Sequence, residues 1–301
     1  MSLGGRYVID RIKRSVGKYV RLPVPPYNNP NFWEGVYKKM APTDVFEWGD
    51  FDCEDLMEYS CRRQRYDMKR LMFLASQNDL GQASVTGKNL ELTQSGLAEA
   101  LGIAPAADGE TTTKEEPILM LGCGNSMLGP DMLTQGWRGP IIGVDVSSRV
   151  IHDLSRRYVN QQYNMRFLQD DATFLSAIED ETVAAVVDKG MVDAVFCTED
   201  YDTCHAVLRS VNRVMHHGGI FCCFSFSRPE FILQKLLFPD AIPTRGMRSH
   251  EQQMTKEWSA VEIQRLGFIY LYRFFKVSRS AANVRLPKTA SNSRQHRRAK
   301  Y

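Results

Sequence analysis

The chain has 301 residues, 43% hydrophobic and 24% charged, which suits one large α/β domain with extensions or two small domains. No run approaches the ~20 apolar residues of a membrane span, so none is expected. The net charge of +3 hides a division. Residues 1–21 hold six bases and one acid, residues 276–301 hold eight bases and no acid, and the stretch between carries about ten more acids than bases. An acidic body attracts basic partners, and basic arms suit nucleic acid. The seven cysteines include no CxxC pair, so no metal centre is expected. Their odd count and lack of framework spacing point to reduced thiols and an intracellular compartment.

In chain order, residues 1–26 read as a basic arm. Tyr7, Val8, Ile9, Ile12, Val16, Tyr19 and Val20 alternate with bases in it. That pattern makes a basic amphipathic helix and predicts mitochondrial targeting, with a retained cytoplasmic arm as the alternative. Pro23, Pro25 and Pro26 end it. Residues 27–75 are predicted as a helical cap, with aromatics at its start and a helical run over 54–75. Residues 76–117, rich in Gly, Ser, Thr and Asn, are predicted as a surface insertion and linker with one short helix near 95–101.

From Pro117 the pattern alternates. Strands are predicted at 118–121, 141–145, 165–168, 183–188 and 220–226, with helices at 147–160 and 201–216 between them. Such alternation builds a parallel sheet covered on both faces. Residues 258–265 and 268–277, around Gly267, predict an antiparallel pair at the end. Residues 118–277 therefore form the core domain. The tail 278–301 is polar and basic, with no core-forming pattern.

The first strand of this core runs into Gly122-Cys123-Gly124-Asn125-Ser126. Glycines there bring bare backbone close to a ligand. The second strand ends at Asp145, an acid placed to accept from ribose hydroxyls or to cap the following helix. The third leads into Asp170-Asp171-Ala172, where an acid can accept from an adenine amino group or make a turn. A dinucleotide dehydrogenase is disfavoured, because Met127 stands where its fingerprint needs a third glycine. The fourth strand leads into Asp188-Lys189-Gly190-Met191-Val192-Asp193-Ala194, at the edge where such sheets bind ligands. Trp33 and Tyr37, four apart, share one helix face.

These strings, LGCGNS (121–126), GVDVSS (143–148), DKGMVDA (188–194), VLRSVNRVMHHGG (207–219) and FWEGVYKKM…FEWGDF, resemble the methyltransferase-like proteins that include lysine methyltransferases of translation elongation factor 1-alpha. The resemblance covers about 27–75 and 117–277. It implies the α/β, Rossmann-like seven-strand methyltransferase sheet, parallel with an antiparallel last strand and helices on both faces. It also implies S-adenosylmethionine as cofactor, held by residues matching Trp33, Tyr37, Trp48, Gly122, Asp145, Val146, Asp171, Ala172 and Lys189. Cys123, Gly124 and Asn125 of the glycine loop join this set. Asp188 is the candidate for orienting the nucleophile or the cofactor amine. Met120 departs from the pattern, since many methyltransferases carry an acid there.

The function expected from the resemblance and the acidic body is lysine methylation of a basic protein. A methyltransferase-fold structural or assembly factor of a ribonucleoprotein such as the mitochondrial ribosome is the rival, with RNA contacted through residues 1–21 and 279–301. An RNA methyltransferase ranks lower, because no Asn-Pro-Pro-Tyr-like signature follows the fourth strand.

Overall fold

Ile118–Leu121 and Ile141–Asp145 are short apolar runs in which every residue is buried, the mark of strands covered on both faces. They are β3 and β4 of a mixed sheet in the computed structural model, which describes residues 24–47, 63–67, 88–90, 116–134, 137, 139–158, 163–237, 256–266 and 269–278. The other strands are β1 (Arg63–Asp67), β2 (Lys88–Leu90), β5 (Met165–Gln169), β6 (Val183–Lys189), β7 (Met215–Ser225), β8 (Trp258–Leu266) and β9 (Ile269–Lys276). The helices are α1 (Pro30–Lys38), α2 (Leu128–Thr134), α3 (Ser148–Tyr158), α4 (Met191–Phe196), α5 (Tyr201–Val214) and α6 (Pro229–Leu237).

The strand order is β2-β1-β8-β9-β7-β6-β3-β4-β5. Strands β5, β4, β3, β6 and β7 run parallel, while β9 pairs antiparallel with both β7 and β8. Strands β3–β9 are thus the expected seven-strand sheet with its antiparallel end. The chain moves outward from β3 to β4 and β5, then returns to β6 on the other side of β3. That reversal opens a crevice at the carboxyl ends of β3, β4 and β6.

The two sheet faces carry separate apolar clusters. Leu119, Val186, Phe221 and Cys223 pack with α5 and α6 on one face. Ile118, Met120, Val187 and Cys222 pack with α2 and α3 on the other. Adjacent Cys222 and Cys223 therefore point to opposite faces, as the two-residue period of a strand requires. Helix α3 buries Val150, Leu154 and Tyr158, one face at four-residue spacing. Asp200 caps α5 by accepting from the Thr203 N–H at 3.1 Å. At its other end α5 passes directly into β7. There the Lys276 ammonium donates to the carbonyls of Asn212 and Met215, both at 2.7 Å.

Three expectations need correction. The helical run over 54–75 contains a strand, β1, which pairs antiparallel with β8 from Arg63↔Gln264 to Asp67↔Ala260. The 76–117 insertion contributes β2, which pairs with β1. Pairing satisfies backbone groups that the edge of β8 would otherwise leave open, and this overrides a weak local preference. The predicted helix 201–216 ends at Val214, because Met215 already pairs with Val183 in the sheet. The short helix expected near 95–101, the arm 1–21 and the tail 279–301 lie outside the described residues. Among the described residues no helix is long and apolar enough to cross a membrane.

Fully buried Phe274 stacks on Phe221 at 5.8 Å and meets Trp258 edge-on at 5.6 Å. Phe274→Ala is expected to cost about 3–5 kcal/mol, read as a lower midpoint in urea unfolding without loss of the folded spectrum.

Candidate functional site: a covered crevice at the sheet edge

A cavity of about 280 Å³ lies over the crevice, close to the ~300–1,000 Å³ range of small-molecule sites. Its floor is the β3 exit. Gly122 and Gly124 both sit at φ +50°, where side chains are strained. A Cβ on Gly122 would come within 2.6 Å of Met191 Cβ, and one on Gly124 within 2.7 Å of the Tyr37 hydroxyl. The glycines are needed for both conformation and space.

Asp145 ends β4 beside this loop. Its Oδ2 accepts from the Gly124 N–H at 3.0 Å and its Oδ1 from the Ser147 N–H at 2.9 Å. Burial pushes its pKa up to about 6, against the lowering effect of those backbone bonds. With the Val146 N–H also bonded to this carboxylate, acceptor capacity remains for a ligand hydroxyl. Asp171 follows β5. Its Oδ1 accepts from the Thr173 N–H at 2.8 Å, and Ala172 beside it lines the cavity. Val146 and Cys123 also line it.

The roof is the segment 24–47. Tyr27, Trp33 and Tyr37 form a ladder, with centroids 5.6 Å and 6.3 Å apart at 26° and 29°. The Trp33 indole N–H donates to the Tyr27 carbonyl at 2.7 Å. Polar side chains pin this strap to the core. Glu34 accepts from Ser147 Oγ at 2.7 Å and the Arg149 N–H at 3.2 Å, at the start of α3. The Ser147 bond leads the effects that hold its carboxyl below the usual range. Glu47 accepts from the Met127 N–H at 2.7 Å and Ser126 Oγ at 2.8 Å, and pairs with Lys189.

The structure thus brings Trp33, Tyr37, Gly122, Cys123, Gly124, Asp145, Val146, Asp171, Ala172 and Lys189 to one cavity. Two expected residues stand elsewhere, and Trp48 lies outside the described residues. Asn125 does not line the cavity. It accepts from the Phe46 N–H at 2.9 Å and donates to the Asp44 carbonyl at 2.8 Å, so it anchors the strap. Asp188 is 0% exposed and lies behind the crevice. Its Oδ1 accepts from the N–H groups of Met191 and Val192 at 2.9 and 3.1 Å, and Cys223 Sγ lies 3.4 Å from Oδ2. It accepts from the first N–H groups of α4, fixes the turn after Lys189 and does not line the cavity. Burial is the main cause that pushes its pKa up to about 7.

Glu34 and Glu47 are site residues that sequence reasoning missed. Each sits beside aromatics, in FWEG or FEWGD, and an acid next to aromatics was the available signal. Among the described residues no group of acids, histidines and cysteines could hold a metal.

The sheet order and this edge define a Rossmann-like methyltransferase fold. The chain belongs to the methyltransferase domain family, whose model matches residues 112–267. S-adenosylmethionine is its cofactor, and the residues present fit it: bare backbone at Gly122 and Gly124, an acid for ribose at Asp145, and a second acid at Asp171. The chain is similar to the mouse "eEF1A lysine and N-terminal methyltransferase", 34% identical over 121 residues, which cover 39% of this chain and 17% of that protein. It is 36% identical over 123 residues to the Drosophila melanogaster homolog, covering 40% and 18%. The chain therefore spans less than a fifth of these relatives. A solved S-adenosylmethionine-dependent methyltransferase from Methanosarcina mazei aligns with 14% identity and a TM-score of 0.40, over 55% of this chain and 94% of that one.

Two pH predictions follow from the buried acids. Asp145 must be ionised to accept from a ligand hydroxyl, so cofactor affinity is expected to fall as pH drops through about 6. Asp145→Asn should bind roughly ten- to hundredfold more weakly at pH 7.5, with a flatter profile by calorimetry. For Asp188, a folded pKa of about 7 lies above the ordinary carboxyl value of 3.8. Its contribution is then fully present below that lower value and lost as pH rises toward 7. Asp188→Asn is expected to remove this slope, so the variant gains on the wild type by a few kcal/mol between about pH 4 and 8 in denaturant titrations.

Proposed function

We propose that the protein transfers the methyl group of S-adenosylmethionine to an amine of a basic protein. The observation that carries this reading is the charge around the crevice. Asp170 and Asp171 line one side of it, and Glu199, Asp200 and Asp202 stand at the start of α5, whose Thr203 also lines it. Such a rim attracts a cationic side chain or chain terminus. Support also comes from relatives named for methylating lysine and the N-terminus of a protein.

The cofactor supplies an electrophilic methyl on a sulfonium. An accepting amine would meet that methyl with its nitrogen lone pair, the S–C electron pair would leave with the neutral thioether, and a proton would pass to solvent. The protein's own part is to align the partners at ~3–3.5 Å and exclude water. The Gly122–Gly124 floor and Asp145 fix one partner, and the strap of Tyr27, Trp33 and Tyr37 closes the roof. A lysine acceptor must be neutral at attack, which a dry aromatic roof favours over the charged form.

The test is methyl-labelled cofactor added to the protein with, separately, basic proteins from a knockout extract and RNA from the same source. Label is expected in protein, and Asp145→Ala should lower it at least about tenfold. Label confined to RNA would sink the protein reading. The basic segments 1–21 and 279–301 favour a second reading, a ribonucleoprotein assembly role, for which RNA affinity should fall steeply with salt and on deletion of 279–301.

A further inference from the structure

We propose that Glu47 is a positioning residue, holding Lys189 so that its ammonium receives the α-carboxylate at the amino-acid end of the cofactor. This rests on the S-adenosylmethionine reading of the cavity. It goes beyond that reading by giving Glu47 of the strap a part in placing Lys189.

The sheet order places the two ends of the ligand. Asp145 and Asp171, suited to the adenosine, follow β4 and β5. Lys189 ends β6, on the other side of the β3 glycine loop. Neighbouring strands lie about 4.8 Å apart, so β4 and β6 are roughly 10 Å apart across β3. A ligand with its ribose at Asp145 that crosses the bare backbone of Gly122–Gly124 arrives at Lys189. Among the described residues that line the cavity, Lys189 is the only lysine or arginine, whereas Glu47, Asp145, Asp170 and Asp171 are all acids. Among the described residues, Lys189 is thus the cationic side chain placed to meet the one carboxylate of the cofactor.

A lysine is a flexible point charge, and pinning its stem costs rotamer entropy. Glu47 meets that cost before the ligand arrives. Its carboxylate is itself held by Ser126 Oγ at 2.8 Å and the Met127 N–H at 2.7 Å, leading into α2. Lys189 and Glu47 side chains are 7% and 17% exposed, so their pairing is little screened by water. The pair also ties the end of the strap to the end of β6. A fixed Lys189 and a closed roof are therefore one event.

Two probes separate recognition from folding. S-adenosylhomocysteine carries the amino-acid end, and 5′-methylthioadenosine lacks it. In calorimetric titrations, Glu47→Gln and Lys189→Met should each weaken S-adenosylhomocysteine at least about tenfold, as for loss of a charge-assisted contact. Binding of 5′-methylthioadenosine should stay within about twofold, which also shows that the variants are folded. The double variant should be no weaker than Lys189→Met alone, since Glu47 acts through Lys189. Unchanged S-adenosylhomocysteine affinity in Glu47→Gln would overturn the proposal. So would equal weakening of both probes, or a double variant whose loss is the product of the two single losses. Failure of the wild type to bind either probe would instead remove the cofactor reading itself, and the positioning role with it.

Discussion

Gly122 and Gly124 hold the backbone at φ +50°, with Met191 and the Tyr37 hydroxyl where their Cβ atoms would lie. The rest of the ligand edge depends on this close approach. It lets α4 begin directly beside the β3 exit, and it lets the strap helix α1 lower Tyr37 onto the same loop. A side chain at either position would push the roof or α4 away from the crevice and open it to water. The Gly124 N–H also donates to Asp145, so the loop and the acid at the end of β4 are tied by one bond.

The roof is held by chemistry of two kinds. Stacked and edge-on rings among Tyr27, Phe32, Trp33 and Tyr37 supply apolar area. Orientation comes from polar pins: Glu34 and Glu47 of the strap accept from the loops after β4 and β3, and Asn125 of the β3 loop bonds the strap backbone at Phe46 and Asp44. Aromatic packing alone tolerates sliding, whereas a carboxylate that accepts from a backbone N–H has one geometry. The strap is therefore positioned by the elements that form the floor.

Behind the crevice, two carboxylates are buried near one another. Asp188 caps α4, and Asp193 on α4 accepts from Ser225 and from the Phe226 N–H at 2.8 Å, tying α4 to the end of β7. Buried acids are costly when ionised, and each is kept in place by backbone donors. Together they tie α4 to the ends of β6 and β7, next to Lys189.

The parallel core was legible in the sequence because strands buried on both faces are short apolar runs, as at Ile118–Leu121 and Val183–Val187, and the glycine loop and Asp145 follow strand ends directly. Chemistry tied to a strand end travels with local sequence. The strands β1 and β2 were not legible, because Arg63–Asp67 and Lys88–Leu90 lack an apolar pattern and owe their form to pairing with β8 and with each other. The parts of Asn125, Asp188 and Glu47 were hidden for a related reason. Asn125 and Glu47 meet partners about 80 or more residues away, and the full burial of Asp188 depends on the packing of α4 and β7 around it. Sequence by itself determined the fold class and the floor of the site, which depend on local pattern. Tertiary structure decided which acids line the cavity and which hold the scaffold, because burial and long-range partners exist only once the chain has folded.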